Sequence, residues 1–349
     1  MRHLFLLLSH LSLLLLLCLA ACRPAGTRTG HVTLDYQTDY AAIAAAVDST
    51  RIRQSITRLA GFGSRMTGYP GADSAAQYLV DQFTTIGLED VKTEEFIASV
   101  PLDEGGELTL LDPIPATFPL SSLWPNLIRT STLPPGGLTG RLYYVGRGDW
   151  ADFNGKNIVD QIVLMEFNTS TNWENTAILG ARAVIFVEPD WTTRVEGEEK
   201  YFQVPINFPR FWMRKQDAHP LVERLRNGET LHVRAKARMT WKRVPAYNVL
   251  GKITGTHPQL KDESIVLESY YDSISPVPAV SPGANQATGI VALLEMARYF
   301  RAHPPARTVY FLATSGHFLS LSGVSAFANR HTRKTPYFAE RLTEPIDMK

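Results

Sequence analysis

Ser264-Ile265-Val266-Leu267-Glu268-Ser269-Tyr270 is a short apolar-rich run, and Thr308-Val309-Tyr310-Phe311-Leu312-Ala313 is another. Between them, Ala287–His303 sets Ile290, Leu293, Leu294, Ala297 and Phe300 on one helical face and stops at Pro304-Pro305. Strand, long helix, strand reads as a right-handed crossover between sheet neighbours. The spacing therefore predicts an α/β domain built on a mixed, mostly parallel sheet flanked by helices. Ligands of such sheets sit beyond the carboxyl ends of the strands. Here those ends carry Tyr271-Asp272-Ser273 and Thr314-Ser315-Gly316-His317.

Further upstream, Tyr247–Thr254 and the alternating run Leu231–Trp241 predict two strands. Ala218–Arg226 predicts a helix with Asp217 capping its start and Pro220 in its first turn. Leu138–Val145, Gln161–Glu166 and Ala181–Val187 are short β-branched runs, and the proline-rich Pro113–Pro135 reads as a linker or boundary. Val91–Val100 and Glu107–Leu111 predict strands. Ala72–Ile86 predicts a helix stopped by Gly87, and Ala41–Leu59 has the spacing of one helix. Gly61–Pro70 is a glycine-rich turn without the preceding strand that a nucleotide loop requires. The expected organisation has 41–115 and 243–349 as two parts of one α/β domain, with 116–242 as a small β-rich α+β insertion.

The amino terminus carries a separate signal. Met1-Arg2-His3 precedes an apolar run from Leu4 to Leu17, broken only by Ser9, His10 and Ser12, and then Leu19-Ala20-Ala21-Cys22. A positive end, a short apolar stretch and small residues before a cleavage point predict a secretory signal peptide over 1–21. The run is shorter than the roughly 20 apolar residues of a spanning helix. The last four residues resemble a bacterial lipobox, which implies lipidation of Cys22 and a tether over 22–40. The expected location is the bacterial cell envelope, with the lipid bilayer engaged through acylated Cys22, facing the periplasm or outer membrane in a Gram-negative cell. An ordinary signal peptide with Cys22 left as a free thiol is the alternative. Across 349 residues, 35 Lys and Arg balance 34 Asp and Glu, which argues against a nucleic-acid partner. Both cysteines fall within the first 22 residues, so the body has no disulfide scaffold, cysteine-rich zinc site or cysteine nucleophile.

Taken in order, these segments resemble metallopeptidase family 28, the co-catalytic zinc aminopeptidases and carboxypeptidases, with the glutamate carboxypeptidases and the transferrin receptor among its relatives. Gly63-Ser64-Arg65-Met66-Thr67-Gly68 with the following helix is similar to the family's N-terminal segment. Asn248-Val249-Leu250-Gly251-Lys252-Ile253-Thr254-Gly255 is similar to the strand leading into the catalytic sheet. Ser281-Pro282-Gly283-Ala284 and Ala287-Thr288-Gly289 resemble the loop and helix after the first metal ligand, and Thr308–Gly323 the strand and turn that carry the catalytic glutamates. Within the insertion, Tyr144-Val145-Gly146-Arg147-Gly148-Asp149 and Gly180-Ala181-Arg182-Ala183-Val184-Ile185-Phe186 resemble a protease-associated domain. The implied fold is zinc-exopeptidase-like.

The resemblance also implies a ligand set, and this sequence departs from it. Two zinc ions need imidazoles and carboxylates, one carboxylate bridging, and a separate glutamate base. The family's first ligand histidine falls on Tyr270, a phenol that zinc sites rarely use. Its bridging aspartate falls on Asn285, which offers a neutral oxygen. The adjacent base and ligand glutamates fall on His317 and Phe318, and phenylalanine has no lone pair to donate. Only Asp272 keeps the pattern, as an orienter of the ligand that Tyr270 replaces, and so is expected to have nothing to orient. A substitute metal site would use His317, Asp272 and Glu268.

The expected function is a membrane-anchored, catalytically inactive pseudopeptidase that binds peptides or proteins, without a metal or other cofactor. The alternative is an active zinc aminopeptidase with atypical ligands, or one completed by sequence beyond Lys349. The family's remaining aspartate and histidine ligands come from later segments, and Leu342–Lys349 reads as the approach to a further strand. His219, His232, His257, His303 and His331 lack metal-binding spacing and read as structural or solvated. Arg147-Gly148-Asp149 reads as a turn. Trp173, Trp191 and Trp212 either line a binding face of the insertion or are buried.

Overall fold

The computed structural model describes residues 40–332 except 113. The signal peptide, the lipobox with Cys22 and the Leu342–Lys349 reading lie outside the described residues.

Residues 41–59 do not form the single helix that their spacing predicts. Helix α1 (Tyr40–Ala46) ends, and α2 (Ser49–Ala60) starts anew because Asp48 accepts from the amides of Thr50 (2.8 Å) and Arg51 (3.2 Å). Helix α3 (Pro70–Ile86) stops as expected at Gly87, whose left-handed φ of 85° lets its amide reach Phe83 and Thr84.

Strand β1 (Glu89–Leu110) is continuous where the sequence suggested two strands. The proline-rich segment that follows is not a bare linker, since it contains β2 (Ala116–Ser122), antiparallel to β1. Strands β3 (Leu138–Tyr144), β4 (Ile162–Glu166), β5 (Ala183–Val187) and β6 (Arg210–Met213) form a parallel block. The short helices α4 (Glu174–Ile178) and α5 (Arg194–Glu198) lie in its connections. Helix α6 (Lys215–Arg226) begins earlier than predicted. Arg214 occupies its cap position without a side-chain bond, and Pro220 sits inside the helix rather than in its first turn.

Strand β7 (Leu231–Ile253) is also continuous where two strands were expected. It pairs antiparallel with β1 from Lys252 to Val233, with an irregularity between Asp103 and Gly106 where Gly105 adopts φ 101°. Strand β8 (Ser264–Tyr270), helix α7 (Thr288–Ala302) and strand β9 (Thr308–Thr314) are the predicted crossover, with β8 and β9 parallel. Helix α8 (Ser322–His331) follows.

The sheet order is β1-β2-β6-β5-β4-β3-β7-β9-β8, and the β1–β7 pairing closes the first seven strands into a ring. The mixed sheet flanked by helices is the expected architecture. Antiparallel pairs (β1–β2, β1–β7, β2–β6, β3–β7, β7–β9) are as prominent as parallel ones. One apolar core lies among β1–β7, with Leu142, Leu164, Ile185 and Val233 fully buried. A second joins α2, α3 and α7 to β7 and β9 through Leu59, Leu79, Phe83, Leu294 and Phe311. Strand β7 runs through the expected boundary at 242/243, so a paired ribbon rather than a linker joins these cores. Among the described residues, no helix is long and apolar enough to cross a membrane.

Candidate functional site at the ends of β8 and β9

Parallel register pairs Tyr270, the last residue of β8, with Thr314, the last of β9, so both strands leave the sheet side by side. Beyond β9 the chain turns at Gly316 (φ 68°) and enters α8 through Ser320 and Leu321, both left-handed at φ 57° and 55°. That conformation is costly for residues with a β-carbon and marks a tightly determined turn. It brings three substituted positions together. The Tyr270 and His317 rings stack at 4.0 Å and 24°, and Phe318 stands edge-on to both, at 5.3 Å and 4.9 Å. Such geometries add favourable aromatic contact to the burial itself. Asn285 lies apart from the rings in sequence and element, exposed in a 3₁₀ turn (Ala284–Ala287) before α7.

Asp272 lies beneath this turn and is 1% exposed. Its Oδ2 accepts from the Thr67 hydroxyl (2.9 Å) and the His317 amide (3.1 Å), while Oδ1 is buried without a partner. Thr67 Oγ1 also accepts the Gly316 amide at 2.9 Å and lies 2.9 Å from Ser315 Oγ. Burial pushes the Asp272 carboxyl up to about 7, against the opposing hydrogen bonds from Thr67 and the His317 amide. The expectation that Asp272 orients nothing is corrected here. It ties the 315–317 turn to the 63–68 segment through backbone and hydroxyl donors, not through a ligand histidine.

Two residues quoted only as fold markers prove to shape the site. Arg65 is fully buried, and its guanidinium donates to the carbonyls of Tyr271 (3.0 Å), Pro282 and Gly283 (3.1 Å). Burial pushes its pKa down, and the charge of Asp272 opposes that shift. Asn248 on β7 donates to the Gly323 carbonyl (2.8 Å) and accepts from the Ser315 amide (3.3 Å), fixing the turn from the other side. Neither role has a local sequence signal, because the partners lie 67 to 218 residues away.

The residues present do not fit a pair of zinc ions. Tyr270, Asn285 and Phe318 supply no carboxylate or imidazole at three positions, and the His317 ring is stacked against Tyr270. Glu268 instead accepts from the Thr314 hydroxyl. Among the described residues, no three His, Cys, Asp or Glu side chains converge, so His317, Asp272 and Glu268 do not make the substitute site. The other histidines have local partners: His232 with Asp112 (3.0 Å), His331 with Glu94 (2.9 Å), His219 with Glu223 (3.5 Å), His257 with the Gln259 amide (3.2 Å), and His303 against Tyr299. Gly148 (φ 74°) and the capping Asp149 make Arg147-Gly148-Asp149 a turn into a 3₁₀ helix. Trp173 is buried, Trp212 packs against Phe167, and Trp191 is exposed.

Residues 248–341, which include β8, β9 and the turn between β9 and α8, match the model of peptidase family M28. The likeness to that family rests on this stretch of the chain. It is 26% identical over 207 residues to aminopeptidase YwaD of Bacillus subtilis (strain 168), a match covering 57% of this chain. It is 34% identical over 85 residues, 24% of this chain, to a vacuolar membrane protease of Laccaria bicolor. The matched parts span 41% and 8% of those relatives' lengths. Among solved structures, a zinc aminopeptidase from Bacillus subtilis superposes with TM-score 0.55 at 22% identity, covering 82% of this chain and 65% of that one. A peptidase M28 precursor from Shewanella amazonensis SB2B gives TM-score 0.51 at 16% identity, covering 83% and 69%. At these identities the structures establish the shared fold and nothing finer.

Proposed function

We propose that this chain is a non-catalytic peptidase-type scaffold that binds peptides or proteins at the bacterial cell envelope. The observation that carries this reading is the ring cluster of Tyr270, His317 and Phe318 at the two strand ends. Zinc-assisted hydrolysis needs ligands with lone pairs held in an open geometry, and a carboxylate to take a proton from bound water. In this cluster Phe318 has no lone pair, the Tyr270 phenol is a rare zinc ligand, and no carboxylate is present, which leaves the His317 imidazole as the one ordinary zinc donor. Asp272, the one retained position, spends its accepting oxygen on the turn itself. The envelope location rests on Leu19-Ala20-Ala21-Cys22, and the reading of 116–242 as a protease-associated domain supplies a second surface for partners.

The test is hydrolysis of leucyl-p-nitroanilide by the purified chain, with zinc added and with a chelator. The expected rate equals the buffer blank in both cases; zinc-dependent, chelator-sensitive turnover overturns the reading. Anchoring is tested separately by labelled palmitate. Incorporation into the full chain that disappears in Cys22→Ala supports the lipoprotein, and equal labelling of both refutes it.

A further inference from the structure

The parallel block β3–β6 has carboxyl ends of its own, on different strands from the Tyr270–Phe318 cluster. A cleft of about 290 Å³ opens there, lined by Glu166 and Val187 at the ends of β4 and β5, by Arg147, Phe167 and Trp191 from the loops after β3, β4 and β5, and by Arg226 of α6. We propose that this cleft binds a ligand joining one carboxylate to an apolar or aromatic group, the chemistry shared by a peptide C-terminus and an acyl carboxylate.

The lining carries three cations and three carboxylates, and within it two guanidinium groups are left to take an anion. Arg147 and Arg226 are both exposed, and neither has a carboxylate partner among the described residues, although three acidic side chains share the cleft. Asp190 is engaged by Lys215 Nζ at 2.7 Å, Glu188 by the Lys215 amide at 3.1 Å, and Glu166 by the Tyr144 hydroxyl. Arg226 lies over the Tyr144 ring, 5.0 Å from its centre, and donates to its hydroxyl at 3.0 Å. A single guanidinium contact of this kind leaves most of the donor fork free for a carboxylate. The neighbouring carboxylates disfavour phosphate-rich or polyanionic ligands, so a monoanion fits best.

The rest of the cleft asks for an apolar group. Phe167 and Val187 are buried beside it, while Trp191 is 72% exposed. That exposure is not slack in the backbone. Asn168 Nδ2 donates to the Trp191 carbonyl at 2.7 Å, and the Thr192 hydroxyl donates to Asn168 Oδ1 at 2.8 Å. An aromatic ring shown to solvent from a held backbone loses little freedom on binding. This inference stands apart from the catalytic question, because none of these residues belongs to the β8–β9 site.

Calorimetric titration of the purified chain with acetyl-Ala-Ala-Phe, its C-terminal amide and laurate tests the proposal. The free acid should bind, with the amide weaker by about tenfold or more, and Arg147→Met and Trp191→Ala should each weaken binding about tenfold. Both substitutions are at exposed positions, and an unchanged thermal midpoint confirms that each variant is folded. Binding of laurate alone, lost in Arg147→Met, keeps the carboxylate site and assigns its source as an acyl chain. Equal binding of acid and amide, unchanged binding in both variants, or no binding of any probe at millimolar concentration overturns it.

Discussion

Asp272→Asn should make the protein more stable at pH 8 and leave it nearly unchanged at pH 4. The wild-type carboxyl is buried with one oxygen unpaired, and its pKa rises from 3.8 to about 7 in the fold, chiefly through burial. Between those values the folded chain holds a proton that the unfolded chain has released. The contribution of this group is therefore fully present below about pH 4 and is lost as pH rises through about 7. At about 1.4 kcal/mol for each pH unit, the ionised carboxylate costs the fold on the order of 4 kcal/mol at pH 8. Asparagine is neutral throughout, and its side-chain oxygen can accept from Thr67 and the His317 amide as Oδ2 does. Urea unfolding of both proteins at pH 4, 6 and 8 gives the difference directly, since ionisable groups common to both cancel. An advantage for Asp272→Asn that grows with pH, up to about 4 kcal/mol, is expected. A variant less stable than wild type at pH 8 refutes the reasoning, because it would mean that a cation pairs with the ionised Asp272.

Three further substitutions probe the frame around the site, each read by its urea midpoint. Arg65→Lys should cost about 2–4 kcal/mol, because a lysine cannot reach all three carbonyls that the guanidinium satisfies and each orphaned carbonyl costs about 1–3 kcal/mol; a loss near zero would deny Arg65 its anchoring role. Gly323→Ala should lose about 2 kcal/mol or more, since the new Cβ would lie 2.2 Å from the Ser315 carbonyl oxygen and 2.6 Å from Asn248 Oδ1. An unchanged midpoint there would show that the 315–323 turn is open. Pro220→Ala should stabilise by about 1–2 kcal/mol, by restoring an amide donor inside α6; destabilisation would mean that the ring packs in a way that outweighs the lost bond.

The crossover from β8 through α7 to β9 was legible because its apolar residues repeat at helical spacing between two β-rich runs. Its strand ends carry Tyr270, Asp272 and His317, which the fold brings together. The β1–β7 ribbon was not legible as two long strands. Gly105-Gly106 and Pro101 in β1, and Pro245 in β7, look like breaks to local reasoning, yet pairing continues past each of them, with a register shift only at Gly105. Tertiary pairing outweighs local propensity there. Likewise Asp48 splits a helix whose apolar spacing is unbroken, because two capping hydrogen bonds oppose continuation. At the site, residue identities told where the sequence departs from the family pattern that it resembles. They could not tell that three of the substituted side chains stack on one another, or that Thr67 holds the turn and Arg65 the 271 and 282–283 carbonyls, both from some 200 or more residues upstream.

The most direct test of the central claim is the zinc content of the purified chain after incubation with excess zinc and gel filtration. The aromatic cluster predicts far less than one zinc ion per chain, unchanged by prior chelation. Two zinc ions retained per chain, and removed only by a strong chelator, would contradict it.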